Sequence, residues 1–181
     1  TVRGPQATTA YYNRPDATAL AKIRDSDEGD DLNSRARFWH RMGDVGYFDE
    51  RGRLWYCGRK ADRVTTDRGT LFSVQCEAIF DTHPKVRRTA LVGVPTHKDE
   101  VPVICVELLP GTERRARKEV EADLLKLAER HAHTRDIRHI IFHSRFPVDI
   151  RHNAKIGRPE LGRWARRKLR GRIRNASSGS L

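Results

Sequence analysis

The spacing of apolar and polar positions changes character near residue 60 of this chain. Residues 1–37 read as a strand remnant followed by irregular, polar chain. From 38 to 60, two aromatic-rich apolar runs flank Asp49-Glu50-Arg51-Gly52, a turn closed by glycine, which predicts a β-hairpin. On its second strand Leu54, Tyr56 and Gly58 fall on one face, Trp55 and Cys57 on the other. Beyond 60 the elements alternate. Residues 89–94, 101–109 and 137–142 are rich in β-branched side chains and read as strands. A short helix is expected within 71–80, with Ser73 as its N-cap and His83-Pro84 as its stop. Over 112–131, Val120, Leu124, Leu127 and Ala128 recur on one helical face. A basic helix follows over 160–173, then a flexible tail over 175–181. The β-α-β-β-α-β order from Val64 onward predicts a small α/β (α+β) domain of about 115 residues, with no internal repeat.

Composition narrows the setting. Of 181 residues, 37% are hydrophobic and 33% charged, so the chain is polar yet can build a core. Its longest apolar stretch, 101–109, is interrupted by Glu107 and falls far short of the roughly 20 residues a membrane span needs. No charged-then-apolar leader follows Thr1, so no secretory signal is expected, and the opening reads as part of something longer. Cys57, Cys76 and Cys105 are widely spaced, which fits neither a disulfide framework nor a CxxC site and points to a reducing cytoplasm.

The net charge of +12 draws attention to polyanions, nucleic acid first. Over 158–174, however, eight basic side chains face one acid, Glu160, so more than half of the surplus belongs to that segment. No helix-turn-helix, zinc or aromatic stacking signature accompanies it, which ranks nucleic acid low and leaves a partner subunit or an acidic membrane surface as alternatives. The acidic run Asp25, Asp27, Glu28, Asp30, Asp31 lacks the ligand pattern of a calcium loop and reads as solvated surface. His139 and His143 share a strand face, but four residues along a strand is roughly 13 Å, too far for one metal.

Three residues could carry chemistry. Asp44 follows Gly43 at the hairpin entry, where a short carboxylate can accept two hydroxyl hydrogen bonds from a ribose or simply form a turn. Arg59, after Gly58, could bond a nucleotide or be a solvated strand end. Lys155 lies in the donor-rich stretch 151–158 and could meet a developing negative charge, or be ordinary surface.

Taken in order, four motifs resemble the C-terminal third of the AMP-forming adenylating enzymes, the superfamily of acyl-CoA synthetases, luciferases and peptide-synthetase adenylation domains. VRGPQATTAYYNRPDAT (2–18) resembles the segment closing the large domain. HRMGDVGYFDERGRLWYCGRKADRV (40–64) resembles its Arg-Thr-Gly-Asp motif, hairpin and Gly-Arg hinge. The helix with Glu77, His83-Pro84 and ALVGVP (90–95) resembles the start of the small swivelling domain, and AKIGR (154–158) the catalytic-lysine motif. The resemblance implies 1–60 as the end of the large ATP-binding domain and 61–174 as the mobile domain. It implies that Asp44 binds the ribose of ATP, that Arg59 and Tyr56 support the nucleotide, and that Lys155 bridges carboxylate and α-phosphate.

Several positions depart from the family. Ala61 stands at the hinge, with Asp62 able to substitute. Met42 replaces a threonine, Ala154 replaces a glycine, and 65–70 replaces a Gly-rich loop. This combination most resembles the branch that forms β-lactones from β-hydroxy acids in olefin biosynthesis. The implied requirements are a fatty or β-hydroxy fatty acid, ATP with Mg2+ held mainly by the rest of the large domain, and an open question over CoA. Alone, this portion is expected to be inactive.

Overall fold

Pro15 and Asp16 open a helix in a stretch whose polarity predicts only irregular chain. Proline is pre-set for a first helical turn, and an acid there meets the free amides. The computed structural model describes residues 1–24, 38–149 and 155–178, with the side chains of 24 and 170–178 outside that description; the acidic run 25–31 lies outside it too. The chain forms two compact units, Thr1–Asp44 and Val45–Leu181. In the first, α1 (Pro15–Ala21) leads into β1 (Lys22–Arg24), which pairs antiparallel with β2 (Phe38–His40). The run from 38 is therefore not part of the hairpin. Gly43, at φ 75°, breaks it in a conformation that glycine adopts freely.

The hairpin is β3 (Asp44–Phe48) with β4 (Leu54–Arg59). Asp49 organises its turn: Oδ1 accepts the Arg51 and Arg53 amides at 3.0 and 2.9 Å, and Oδ2 accepts Trp55 Nε1 at 2.9 Å and Arg53 Nε at 2.7 Å. The Trp55 indole, followed by the Arg53 amide, holds the Asp49 carboxyl below its ordinary value. Alternation along β4 does not become an inside and an outside. Leu54, Trp55 and Tyr56 are all exposed, while Cys57 and Gly58 are both buried. Only the end of the strand reaches another layer, helix α2.

Past a 3-10 turn at Lys60–Asp62 come the small hairpin β5 (Val64–Thr66) and β6 (Gly69–Leu71), then α2 (Ser73–Phe80). Ser73 does not cap this helix. The cap position is Phe72, which makes no side-chain cap bond, and Ser73 is buried inside the first turn. The central sheet follows, with β7 (Val86–Pro95) antiparallel to β8 (Glu100–Leu108). After α3 (Arg117–Glu129), β9 (His139–Phe142) joins β8 in parallel. Helix α4 (Arg158–Ser178) runs on through most of the stretch read as a tail.

A period of two divides the sheet between two cores. Leu91, Ile104, Val106 and Ile140 face Cys76 and Phe80 of α2 and Val120, Leu124 and Ala128 of α3. Ala90, Val92, Val103, Cys105 and Ile141 face Leu161, Ala165 and Leu169 of α4. The result is a helix–sheet–helix sandwich, the α/β architecture expected. Both faces are covered, so strands 86–95 and 100–108 read as nearly continuous apolar runs. The interruption in the second run, Glu107, is buried yet fully engaged. Its carboxylate accepts Arg87 and Arg88 at 3.0 and 2.8 Å and the Phe146 amide at 2.7 Å.

Burial alone would raise the Glu107 pKa, but the Phe146 amide and the two arginines outweigh it, and the net shift is downward. A depressed carboxyl contributes stability that is full above the ordinary carboxylate range and lost as pH falls through the lowered value. Glu107→Ala should destabilise the fold by about 3 kcal/mol, because the Phe146 amide and Arg88 lose a buried acceptor. Urea unfolding at pH 7 and pH 4 checks this: the variant should be the weaker at both, with the smaller pH dependence.

Candidate active site

Lys155 is exposed and sits three residues before α4 begins. Its backbone is tied down on both sides. The Asp149 amide donates to the Lys155 carbonyl at 3.0 Å, Ile156 forms an antiparallel bridge with Val148, and the Gly157 amide donates to the Pro147 carbonyl at 2.8 Å. Gly157 lies beside Pro147, which a Cβ there would meet at ordinary contact distance, 3.4 Å. The ammonium is therefore carried on a narrow, backbone-anchored segment and left free to reach outward. Residues 151–154, the first half of the motif, lie outside the described residues.

Arg158 follows, and it stands apart from the rest of the basic segment 158–174. The Arg158 guanidinium is largely buried and spent internally. Its two terminal nitrogens hold Glu77 at 2.6 and 2.9 Å, one of them also donates to the Leu91 carbonyl at 3.0 Å, and Nε meets Asp62 at 3.1 Å. Glu77 in turn accepts the Leu91 amide at 2.7 Å. Burial pushes the Glu77 carboxyl up, with Arg158 pulling it back in part; the Arg158 pKa is raised, the Glu77 and Asp62 charges outweighing its own burial. Farther along α4, Arg163, Arg166, Arg167 and Lys168 are exposed. Trp164 packs edge-on against His143 with ring centroids 4.4 Å apart, and His143 Nδ1 accepts the Arg145 amide at 3.1 Å. Burial lowers the His143 pKa.

Asp44 stands at the start of β3, exposed, directly after the positive-φ Gly43. A short carboxylate has the two acceptor oxygens that a pair of neighbouring hydroxyls would need. Tyr56 and Arg59 are exposed on β4. Among the nominated residues the structure brings Asp62 into one ion cluster with Arg158. Ala61 beside it is exposed and lines, with Asp62, Leu91, Gly93, Arg158 and Arg163, a cavity of about 350 Å3. Sequence reasoning did not single out Arg158 and Glu77 as site residues. A carboxylate on the otherwise apolar face of α2 was the available signal, since such a group needs a buried cation. Among the described residues no group of three or more His, Cys, Asp and Glu could hold a metal ion, and no helix is long and apolar enough to cross a membrane.

The Gly-Arg pair at the hairpin's end also acquires a physical reason. Gly58 has φ 117°, and a Cβ there would lie 2.5 Å from Ser73 Oγ. Strand β4 can dock on α2 only because this position has no side chain.

Comparison with known proteins agrees with this architecture. No family model matches the chain. Among solved structures, the amide bond synthetase McbA from Marinactinospora thermotolerans superposes with a TM-score of 0.67 at 27% identity, over 90% of this chain and 30% of that one. The anthranilate CoA ligase AuaEII in complex with anthranoyl-AMP gives a TM-score of 0.73 at 19% identity over 92% of this chain and 30% of that one, a likeness of fold. The chain is thus similar to the C-terminal portion of AMP-forming adenylating ligases. Within that class it is similar to two olefin beta-lactone synthetases. One, from Xanthomonas campestris pv. campestris, is 54% identical over 165 residues, 91% of this chain and 29% of the relative. The other, from Stenotrophomonas maltophilia, is 51% identical over 174 residues, 93% of this chain and 30% of the relative. The chain thus spans less than a third of the curated relatives it matches.

Gly58→Ala should lower stability by about 1–3 kcal/mol, from the backbone strain and the clash with Ser73. Thermal unfolding measures it, and an unchanged midpoint would mean that β4 and α2 do not approach this closely.

Proposed function

We propose that this chain is the C-terminal part of an ATP-dependent ligase that activates a fatty or β-hydroxy fatty acid as its acyl-adenylate and then closes it to a β-lactone. The observation that carries the reading is the anchored, outward-facing Lys155 at the foot of α4, in a chain more than 50% identical to two olefin beta-lactone synthetases. Two anions, a carboxylate and the α-phosphate of ATP, must approach one another. A lysine held by its backbone can neutralise the charge that gathers between them. In this reading Asp44 accepts hydrogen bonds from the ribose hydroxyls, Tyr56 and Arg59 support the nucleotide, and the swivel of 61–174 against 1–60 pivots near Ala61.

The rest of the parent would complete the site. Mg2+ and the ATP phosphates would be held by segments outside this chain. The hairpin presents Tyr47, Phe48, Leu54, Trp55 and Tyr56 to solvent, Phe48 at 71% exposure, an apolar surface that a missing large domain would cover. The buried thiols of Cys57, Cys76 and Cys105 suit a reducing cytoplasm.

Chemistry after activation distinguishes the lactone from a CoA thioester. A β-hydroxyl is already tethered beside the activated carbonyl; it attacks that carbon, loses its proton, and AMP leaves. Such intramolecular placement can be worth about 7–11 kcal/mol. An ordinary acyl-CoA synthetase is the second reading, supported by more distant relatives such as the 2-succinylbenzoate–CoA ligase of Geobacillus kaustophilus, 32% identical over 111 residues, 61% of this chain and 20% of the relative.

In the full-length parent, Lys155→Ala should slow carboxylate-dependent pyrophosphate exchange about 100-fold or more. Exchange near the wild-type rate would remove Lys155 from the chemistry. Incubating the parent with a long-chain β-hydroxy acid, ATP and magnesium, with and without CoA, should yield β-lactone, AMP and pyrophosphate in both cases. A CoA thioester as main product, with AMP release that requires CoA, would shift the reading to acyl-CoA synthetase.

A further inference from the structure

The ion cluster around Arg158 joins pieces of chain that are otherwise separate: the turn at 60–62, helix α2, strand β7 and the first residue of α4. Resting on the adenylating reading, we infer that Arg158 and Asp62 form a strut that positions Lys155 and confines the pivot to residues before Asp62.

Between Phe146 and Leu161, both buried in the core beneath α4, no described side chain is fully buried. Among the described residues of that span, the Lys155 segment is held by backbone bonds to 147–149, by Ile156 packed against the core beneath α4, and by the only guanidinium tied to both α2 and the 60–62 turn, that of Arg158. Four directed contacts leave its guanidinium little freedom to rotate. Glu77 takes the fork in parallel, Leu91 takes a third bond, and the remaining direction, Nε, ends on Asp62. A guanidinium is planar and always charged, so this arrangement fixes the plane in which α4 begins, and with it the backbone three residues upstream.

The same geometry assigns Asp62. A pivot residue has to change its backbone angles while its neighbours move past it. Asp62 would have to release a largely buried cation to do so, whereas Ala61, exposed and short, has nothing comparable to release. Asp62 therefore moves with the lysine-bearing body, and rotation is left to the residues before it. Arg158 is a positioning residue in this account, since it acts through Lys155.

The test has two arms. The first uses this chain and hydrogen exchange. Asp62→Ala should speed exchange of the Asp149 and Gly157 amides about tenfold or more, because they bond the Lys155 carbonyl and Pro147, and leave the β7–β8 amides unchanged. Asp62→Glu should restore the slow rate. Unchanged exchange at Asp149 and Gly157, or loss of protection throughout the sheet, would overturn the strut.

The second arm uses the full-length parent and the rate of adenylate formation. Asp62→Ala should lower kcat about tenfold with little change in KM for ATP, and should lower it no further in a Lys155→Ala background. An equal loss in both backgrounds would mean that Asp62 acts elsewhere. A parent that forms no adenylate at all would refute the proposed function and leave the exchange arm to decide the strut.

Discussion

A guanidinium can be buried only when its donors are aimed at acceptors, and Arg158 meets that condition by drawing on three other parts of the chain. Glu77 supplies a matched pair of oxygens, the Leu91 carbonyl a third acceptor, and Asp62 a second charge. Each acceptor has to be somewhere particular for this to work. Helix α2 must lie so that Glu77 points at the sheet, β7 must leave the Leu91 carbonyl available, and the turn after β4 must bring Asp62 over the start of α4. Removing a partner from a cluster of this kind costs several kcal/mol, about 3–5 in typical buried pairs, because the remaining charge stays out of water. The cluster contributes specificity of arrangement more than net stability.

The layers around that cluster explain why the domain tolerates so polar a sequence. Its apolar side chains are concentrated on two faces of three strands, and each face is closed by helices, of which α3 and α4 turn charged side chains to solvent. Glu107 repeats the Arg158 solution on the same sheet with opposite sign, a buried carboxylate met by two arginines and an amide. At both places a buried charge is met by acceptors or donors that the fold brings to it.

The amphipathic hairpin is a contrasting case. Asp49 fixes its turn with four hydrogen bonds, and Tyr47 stacks on Trp55 with ring centroids 6.5 Å apart, yet most of its apolar surface meets solvent. Order without burial is what an element shows when its packing partner belongs to another part of a larger protein. The chain's short span of its relatives agrees with that reading.

By itself the sequence determined the three strands of the central sheet and the helices beyond residue 60, though not the small β5–β6 hairpin, because β-branched runs and the spacing Val120, Leu124, Ala128 are local and repeat. It determined the hairpin turn at 49–52, and through four ordered motifs it pointed to the class of enzyme. Short elements escaped it: among their described side chains α1 and β1 carry no buried residue that a period could reveal, and β2 looked continuous with β3 until Gly43 turned the chain. The cap at Ser73 was misjudged because a serine's preference for helix starts is local, whereas its burial against Gly58 is set by a strand fifteen residues away. Only the tertiary structure decided what Arg158 does. In the sequence it is one of eight basic residues in a charged segment; in the fold it is the one whose charge meets Glu77 and Asp62, 81 and 96 positions earlier. Partnerships over such separations depend on how the layers pack, and no local spacing records that.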